Sequence, residues 1–371
     1  MTLSPNMAAL ADVETPALVL DAAALDRNIA HMAAIAQRRG VALRPHAKTH
    51  KSPDIARRQI AAGAVGVCCA TLLEAEAMTD AGIGGLLITA PTFGGARFER
   101  IAALNRRRPL QVVVDHLAQV EGLAAAMRPD DPVLGVLVDV DVGQRRTGVI
   151  DVGDALAITR RIAASPGLRF AGLQGYAGHV QHITDAGERR VAAEAAASLL
   201  GAFAQALTGA GFRPAVISGS GTGAHGFDLE AGPYTELQVG SYALMDADYA
   251  RVLDERGHGP DFLPALMVLA TVVSVSRVGE VTVDAGTKVL ATNGPPPCHL
   301  LGVPPGSVYR FGGDEHGIVT LPAGGAAPRL GDRLLIGATH CDPTVNLHDR
   351  YLVVRGEVLE HWPIVGRHGG R

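Results

Sequence analysis

What most restricts the fold of this chain is an alternation. Across the first 240 residues, eight short apolar runs bounded by turn residues are separated by longer stretches, most of them of helical texture. The runs are Val41–Arg44, Gly66–Ala70, Leu86–Thr89, Leu110–Asp115, Leu134–Asp141, Phe170–Tyr176, Ala215–Gly219 and Glu236–Gly240. Apolar runs this short suit strands buried on both faces, and helical crossovers between them make the strands parallel. Linking stretches such as Asp54–Ala62, Leu73–Ala81 and Arg189–Ala210 are rich in Ala, Arg and Glu, whereas the last is glycine-rich with room for only a short helix. Eight such units predict an α/β fold, a TIM (β/α)8 barrel, because eight strands close one. An open doubly wound sheet is the structural alternative. Ahead of the first run, Asp21 to Arg39 reads as a helix. Asp21 caps it, Leu25, Ile29, Met32 and Ala36 recur at helical spacing, and Gly40 ends it.

Beyond about Leu263 the texture changes to strands between Gly and Pro turns: Val268–Val278, Glu280–Asp284, Ile318–Leu321, Arg333–Ile336, Tyr351–Val354 and Glu357–His361. The expected organisation is a barrel over 21–262, a mainly-β domain over 263–371, and an N-terminal segment 1–20 whose Ala17–Leu20 adds a strand to one of them. Composition supports two real cores, with 47% hydrophobic and 19% charged residues. A net charge of -4 without a basic block gives nucleic-acid binding no electrostatic support. No basic start with an apolar stretch opens the chain, and no apolar run reaches membrane-spanning length, so no membrane partner is expected. Cys68, Cys69, Cys298 and Cys341 show no CxxC spacing, which points to a reduced, cytoplasmic protein.

Active sites of TIM barrels lie at the C-terminal ends of the strands. After the first run comes RPHAKTHK, where Arg44, His46 and Lys48 are spaced by two and face the interior if the strand persists. A lysine there is costly unless paired or used covalently, and desolvation lowers its pKa toward the range of Schiff-base chemistry; the alternative is a pair of ordinary surface lysines. After the fifth run, VDVDVGQRRTGV puts Asp139 and Asp141 on one face and brackets Arg145 and Arg146 between Gly143 and Gly148. After the sixth, GLQGYAGHVQH crowds Gln174, Tyr176, His179 and His182 into one loop. The two histidines lack a third ligand and read as polar contacts rather than a metal pair. SGSGTG follows the seventh run and GSY the eighth, in the two loops where TIM barrels recurrently hold phosphate. In the second region, His340 and Asp342 lie two apart and, on an extended segment, point the same way with Cys341 opposed. Such a pair can hold a divalent cation, although an H-x-D pair is short and common and, by itself, more often a hydrogen-bonded loop histidine.

In order, TPALVLD, RPHAKTHK, VDVGQRRTGV, GLQGYAGH, GSGTG, YTELQVGSYALMD, VDAGTK, DEHG and HCDPTVNLHD resemble one family over nearly the whole chain. It is the D-threonine aldolase, D-3-hydroxyaspartate aldolase and D-serine dehydratase group of fold-type III pyridoxal-phosphate enzymes. The resemblance implies an alanine-racemase-type barrel, a C-terminal mainly-β domain with a metal site, and a homodimer. It implies pyridoxal 5′-phosphate as a Schiff base on Lys48, with His46 in the same H-x-K motif, Arg146 at the ring nitrogen and Tyr176 lining the cofactor. Gly221, Thr222 and Gly223, with Gly240, Ser241 and Tyr242, would hold the phosphate. His340 and Asp342 would bind a divalent metal, and Gln174, His179, Asp314 and His316 would meet a small-molecule substrate, His179 as a base.

Dehydratases of the group show H-x-C, whereas here the cysteine stands one place earlier and Asp342 takes the third position. A carboxylate suits manganese or magnesium better than zinc or cobalt, which favours an aldolase. The expected reaction is retro-aldol cleavage of a D-3-hydroxy-amino acid to glycine plus an aldehyde or glyoxylate. GLQGYAGHVQH is closer to the hydroxyaspartate enzymes. A dehydratase releasing a 2-oxo acid and ammonia is one alternative, and a non-catalytic pyridoxal-phosphate carrier another.

Overall fold

The structure is a computed structural model that describes residues 5–367. It opens on strand β1 (Ala17–Asp21) and helix α1 (Ala22–Arg39). The Asp21 carboxylate accepts the N–H groups of Ala23 and Ala24 at 2.9 and 3.1 Å, capping the helix as expected. Leu25, Ile29, Met32 and Ala36 are all buried, the stripe that helical spacing requires.

Strand and helix then alternate strictly: β2 (Ala42–Leu43), α2 (Pro53–Ala61), β3 (Cys68–Cys69), α3 (Leu72–Asp80), β4 (Leu87–Ile88), α4 (Gly95–Arg107), β5 (Gln111–Val114) and α5 (Leu117–Ala126). There follow β6 (Leu134–Asp139), α6 (Val152–Ala163), β7 (Leu168–Gly175), α7 (Ala186–Gly209), β8 (Val216–Gly219), α8 (His225–Ala231) and β9 (Glu236–Leu237).

Two compact units emerge. One holds Ala33–Lys48, Pro53–Gly240 and the tail from Val365; the other holds the residues to Met32, Thr49–Ser52 and Ser241–Ile364.

In the first unit the parallel order is β2-β9-β8-β7-β6-β5-β4-β3. The end strands meet: His46 bridges Cys68, and the Cys68 N–H donates to the Pro45 carbonyl at 2.9 Å. The seam is short because Pro45, on that side, has no N–H to give. The sheet therefore curls into the eight-stranded barrel that the alternation predicts. Its strands share a core cluster of Cys68, Leu87, Val113, Leu137 and Ala171, one residue from each of five neighbours. Helix α7, at 24 residues, is long and apolar enough to cross a membrane by length and composition alone. Arg189, Ala193, Ala196, Ala197, Leu200, Phe203, Ala204 and Leu207 are buried along it, the repeat of a helix packed on one side.

The second unit is a sheet of β10 (Leu266–Arg277), β11 (Glu280–Val283), β12 (Leu300–Leu301), β13 (Val308–Phe311), β14 (Gly317–Thr320), β15 (Arg333–Gly337), β16 (Arg350–Arg355) and β17 (Val358–Pro363), with helix α9 (Cys341–Asn346) before β16. Strand β1 belongs here, antiparallel to β10 on one side and parallel to β16 on the other. Val19 sits in a cluster with Leu10, Met267, Leu269, Leu335, Leu352 and Val354. Two-residue β12, four-residue β13 and α9 carry too little periodic signal to be anticipated.

Candidate active-site residues

Strand β2 stops at Leu43, and Ala47–Thr49 forms a 3-10 turn, so Arg44, His46 and Lys48 do not alternate along one strand as the spacing suggested. A different device places them. The His46 Nδ1 accepts the Lys48 N–H at 3.3 Å, capping the turn that carries the lysine, while Nε2 lies 3.0 Å from the Thr89 hydroxyl. With Nδ1 accepting, the ring proton sits on Nε2 and is donated to Thr89, whose own hydroxyl donates to the Cys69 carbonyl at 3.2 Å. Lys48 is half-buried, on a turn capped by the His46 ring. Arg44 is buried in an ion pair with Glu236 at 2.9 Å and also donates to the Gly85 carbonyl. Its two terminal nitrogens are committed to these contacts, while its buried Nε has no hydrogen-bond partner.

A chain of polar groups crosses the barrel. The Ser218 hydroxyl donates to Glu236 at 2.7 Å, the Gln238 amide donates to Ser218 and to Gln174 at 3.0 Å each, and the Gln174 amide donates to Asp139 at 2.8 Å and to the Thr89 carbonyl at 2.9 Å. Both ends of Gln174 are engaged, so this residue, expected to meet substrate, belongs to the floor of the site. Asp139 also accepts from the Thr147 hydroxyl at 2.8 Å. Burial pushes its carboxyl up to about 6, against the pull of those hydrogen bonds and of Arg146. Asp141 does not share its role. Its carboxylate turns into the loop and accepts the N–H groups of Gly143 and Arg145, both at 2.9 Å.

That loop interlocks with the one after β7. The Arg146 guanidinium lies 5.6 Å from the Tyr176 ring centroid, and the Gln144 amide oxygen accepts the Gly178 N–H at 2.9 Å. A Cβ on Gly143 would stand 3.4 Å from the His179 imidazole, so the exposed His179 ring rests against the same loop. The fixed cation, the aromatic face and the histidine expected from the sequence are thus gathered at one rim.

The glycine turn after β8 rests on a residue that the sequence reading passed over. Gln181 is fully buried; its amide donates to the Ala177 carbonyl at 3.1 Å and its oxygen accepts the N–H groups of Gly223 and Ala224 at 3.0 and 3.2 Å. A Cβ at Gly221 would lie 2.5 Å from that oxygen, and one at Gly223 2.0 Å from the Gln181 carbonyl. Any other residue at either position would push the turn off its support. The result is a backbone turn free of side chains at both glycines, a shape that suits a phosphate. Behind it, burial pushes the Asp228 carboxyl up to about 7, with the Ser220 hydroxyl pulling the other way. Gly240 closes the unit just after β9. Ser241 and Tyr242 open a 3-10 turn of the other unit, where Tyr242 is buried edge-on to Phe262 at 5.7 Å.

In the β unit, His340 is the extended N-cap of α9 and Asp342 lies in its first turn, so the two are not neighbours on an extended segment as expected. A helix start brings them together instead. The buried Asp246 carboxylate accepts the N–H of Cys341, between them, at 2.8 Å, and the N–H of Tyr249 at 2.9 Å. The Cys341 thiol points inward and donates to the Met245 carbonyl at 3.2 Å. His340 Nδ1 lies 3.0 Å from the Asn293 side-chain amide. The turn thus carries an imidazole and a carboxylate, both half-buried, a donor set that fits a divalent cation of intermediate hardness; among the described residues, no group of three or more such ligands gathers. Asp314 and His316 stand on the exposed turn between β13 and β14, where the Thr287 hydroxyl donates to Asp314 at 3.3 Å.

Residues 20–248 match the family profile of the alanine racemase N-terminal domain, and 265–354 match one described as "Putative serine dehydratase domain". The chain is 43% identical to a D-threonine aldolase of Arthrobacter sp over 96% of its length and 94% of the relative's. It is 36% identical to a 3-hydroxy-D-aspartate aldolase of Paracoccus denitrificans (strain Pd 1222), covering 97% and 93%. Its fold superposes on the crystal structure of a D-threonine aldolase from Filomicrobium marinum with a TM-score of 0.91, at 42% identity and 98% coverage of both chains.

Proposed function

Because the chain belongs to the family of D-threonine and 3-hydroxy-D-aspartate aldolases, lyases built on an alanine-racemase-type barrel, we propose that it cleaves a D-3-hydroxy-amino acid to glycine and an aldehyde or glyoxylate. The family uses pyridoxal 5′-phosphate, and the cradle of Gly221–Gly223 over Gln181 has the form its phosphate needs. When bound, that cofactor takes up the electron pair released as a bond to the amino-acid α-carbon breaks.

The residues divide the remaining work. Lys48 supplies the amine for the cofactor aldehyde, held on its turn by His46. Arg146 would offer the ring nitrogen of the cofactor a permanent positive donor that gives up no proton. Tyr176, beneath Arg146, provides an aromatic wall. His179, on the same rim, takes the proton of the β-hydroxyl. His340 and Asp342, in the β unit, would hold a divalent cation, manganese or magnesium by donor hardness, which would supply Lewis-acid polarisation of a substrate oxygen.

The observation that carries aldolase over dehydratase is the inward Cys341 thiol, which leaves a carboxylate rather than a thiolate beside His340. The proposal includes a homodimer and a reduced, cytoplasmic setting. The absence of disulfides among the described cysteines, three of them buried, is consistent with that setting. Incubation with D-threonine or D-3-hydroxyaspartate under manganese, magnesium or chelator tests the reading. Glycine with acetaldehyde or glyoxylate, lost on chelation and absent in Lys48→Ala, is the expected outcome. A 2-oxo acid with ammonia as the products would overturn it.

A further inference from the structure

We propose that Asn293 decides which ring nitrogen of His340 faces a divalent cation and, being an amide, holds that histidine in a state the cation can leave as readily as enter. The inference rests on the reading of His340 and Asp342 as metal ligands. Asn293 is a positioning residue acting through His340.

The geometry begins with the loop itself. Gly294 follows Asn293, and a Cβ there would stand 2.8 Å from the Thr339 carbonyl oxygen and 3.4 Å from the His340 Cβ. The loop therefore lies directly on the cation-binding turn. Two further hydrogen bonds stitch it down. The Thr339 hydroxyl donates to the Ala291 carbonyl at 2.5 Å, and the Ala291 N–H donates to the Thr344 hydroxyl at 3.2 Å. On another side of the turn the Asp246 carboxylate holds the Cys341 N–H. With its backbone held on these sides, His340 has its Nδ1 against the Asn293 amide at 3.0 Å.

A neutral imidazole carries one N–H and one lone pair. When the Asn293 NH2 donates to Nδ1, the proton sits on Nε2 and that far nitrogen cannot bind a cation. A half-turn of the amide brings its oxygen to Nδ1, which then carries the proton and donates. Nε2 now presents its lone pair. Asn293 is exposed, so nothing boxes the amide into one orientation. Both tautomers keep their hydrogen bond, and the switch between them needs no movement of the backbone. A carboxylate in the same place accepts only. It would hold the metal-ready tautomer permanently and add negative charge behind the ring, the arrangement that strengthens many histidine–metal bonds. An apolar residue would support neither state.

The test is manganese(II) binding to the cofactor-loaded protein, read as free manganese by electron paramagnetic resonance, with release timed by a chelator chase. Asn293→Leu should weaken binding by roughly 10–100-fold, the usual effect of losing a histidine's outer partner. Asn293→Asp should bind roughly tenfold more tightly than the parent and release more slowly. Thermal unfolding of the metal-free variants separates misfolding from lost positioning. If His340→Ala binds manganese like the parent, the metal reading itself fails. If His340→Ala loses binding while Asn293→Leu keeps it, Asn293 has no role. Weakening by Asn293→Asp as severe as by Asn293→Leu would overturn the tautomer argument, because a purely structural contact would be lost in both.

Discussion

Asp228 is only 2% exposed, behind the glycine turn, and its carboxyl is pushed from 3.8 to about 7. The folded state therefore binds this proton more tightly than the unfolded chain does. Stability is fully present below pH 4 and falls as pH rises from about 4 to 7. The cost above that window is at most about 4 kcal/mol, from three pKa units at ~1.4 kcal/mol each. In the cofactor-free protein, Asp228→Asn should flatten the fall in urea midpoint between pH 5 and pH 8; an unchanged slope would mean that Asp228 ionises freely. Residues of this kind were the least legible. Lys48, Arg146, Tyr176 and His179 stand out in the sequence because each lies in a contiguous motif at a strand end. Gln181, Asp246 and Asn293 could not, because their partners lie 42, 95 and 47 residues away. Nothing in the neighbourhood of a lone glutamine shows that a distant turn will close on its amide.

Among elements, the turn Gly221–Gly223 shows how a loop of small residues gains rigidity. Its support is one amide oxygen accepting two N–H groups. Gln181→Leu leaves both donors unsatisfied, at ~1–3 kcal/mol each in a buried site. Affinity for pyridoxal 5′-phosphate should drop by roughly tenfold or more, measured by absorbance titration of the cofactor-free protein. Binding equal to the parent would show that the cradle stands without its brace. The same scale shows where pattern reading ends. The eight apolar runs of the barrel were legible, since burial on both faces leaves an uninterrupted apolar signature. The two site turns were not, because alternation was assumed to continue past the strand or loop. A signal did exist at His340: Asp342 and Pro343 are favourable residues for the first turn of a helix, and they mark the start of α9. No comparable mark precedes the 3-10 turn of Lys48, which depends on the side chain of His46.

At the scale of the whole chain, β1 is the interior strand of its neighbourhood, hydrogen-bonded to β10 on one edge and β16 on the other. Deleting the residues before Ala22 should strip both edges of their partner and open the cluster around Val19. The expected result is a β unit that binds a hydrophobic dye and aggregates. A truncated protein with parental solubility and melting temperature would show that β10 and β16 can pair without it. The placement also has a consequence for synthesis. Strand β1 leaves the ribosome well ahead of β16, which appears more than three hundred residues later. At ~5–20 residues per second, the sticky segment Ala17–Asp21 waits roughly 15–60 s for its second neighbour. Nascent chains of this protein should therefore lean on chaperones that shield this apolar segment until β16 has been made.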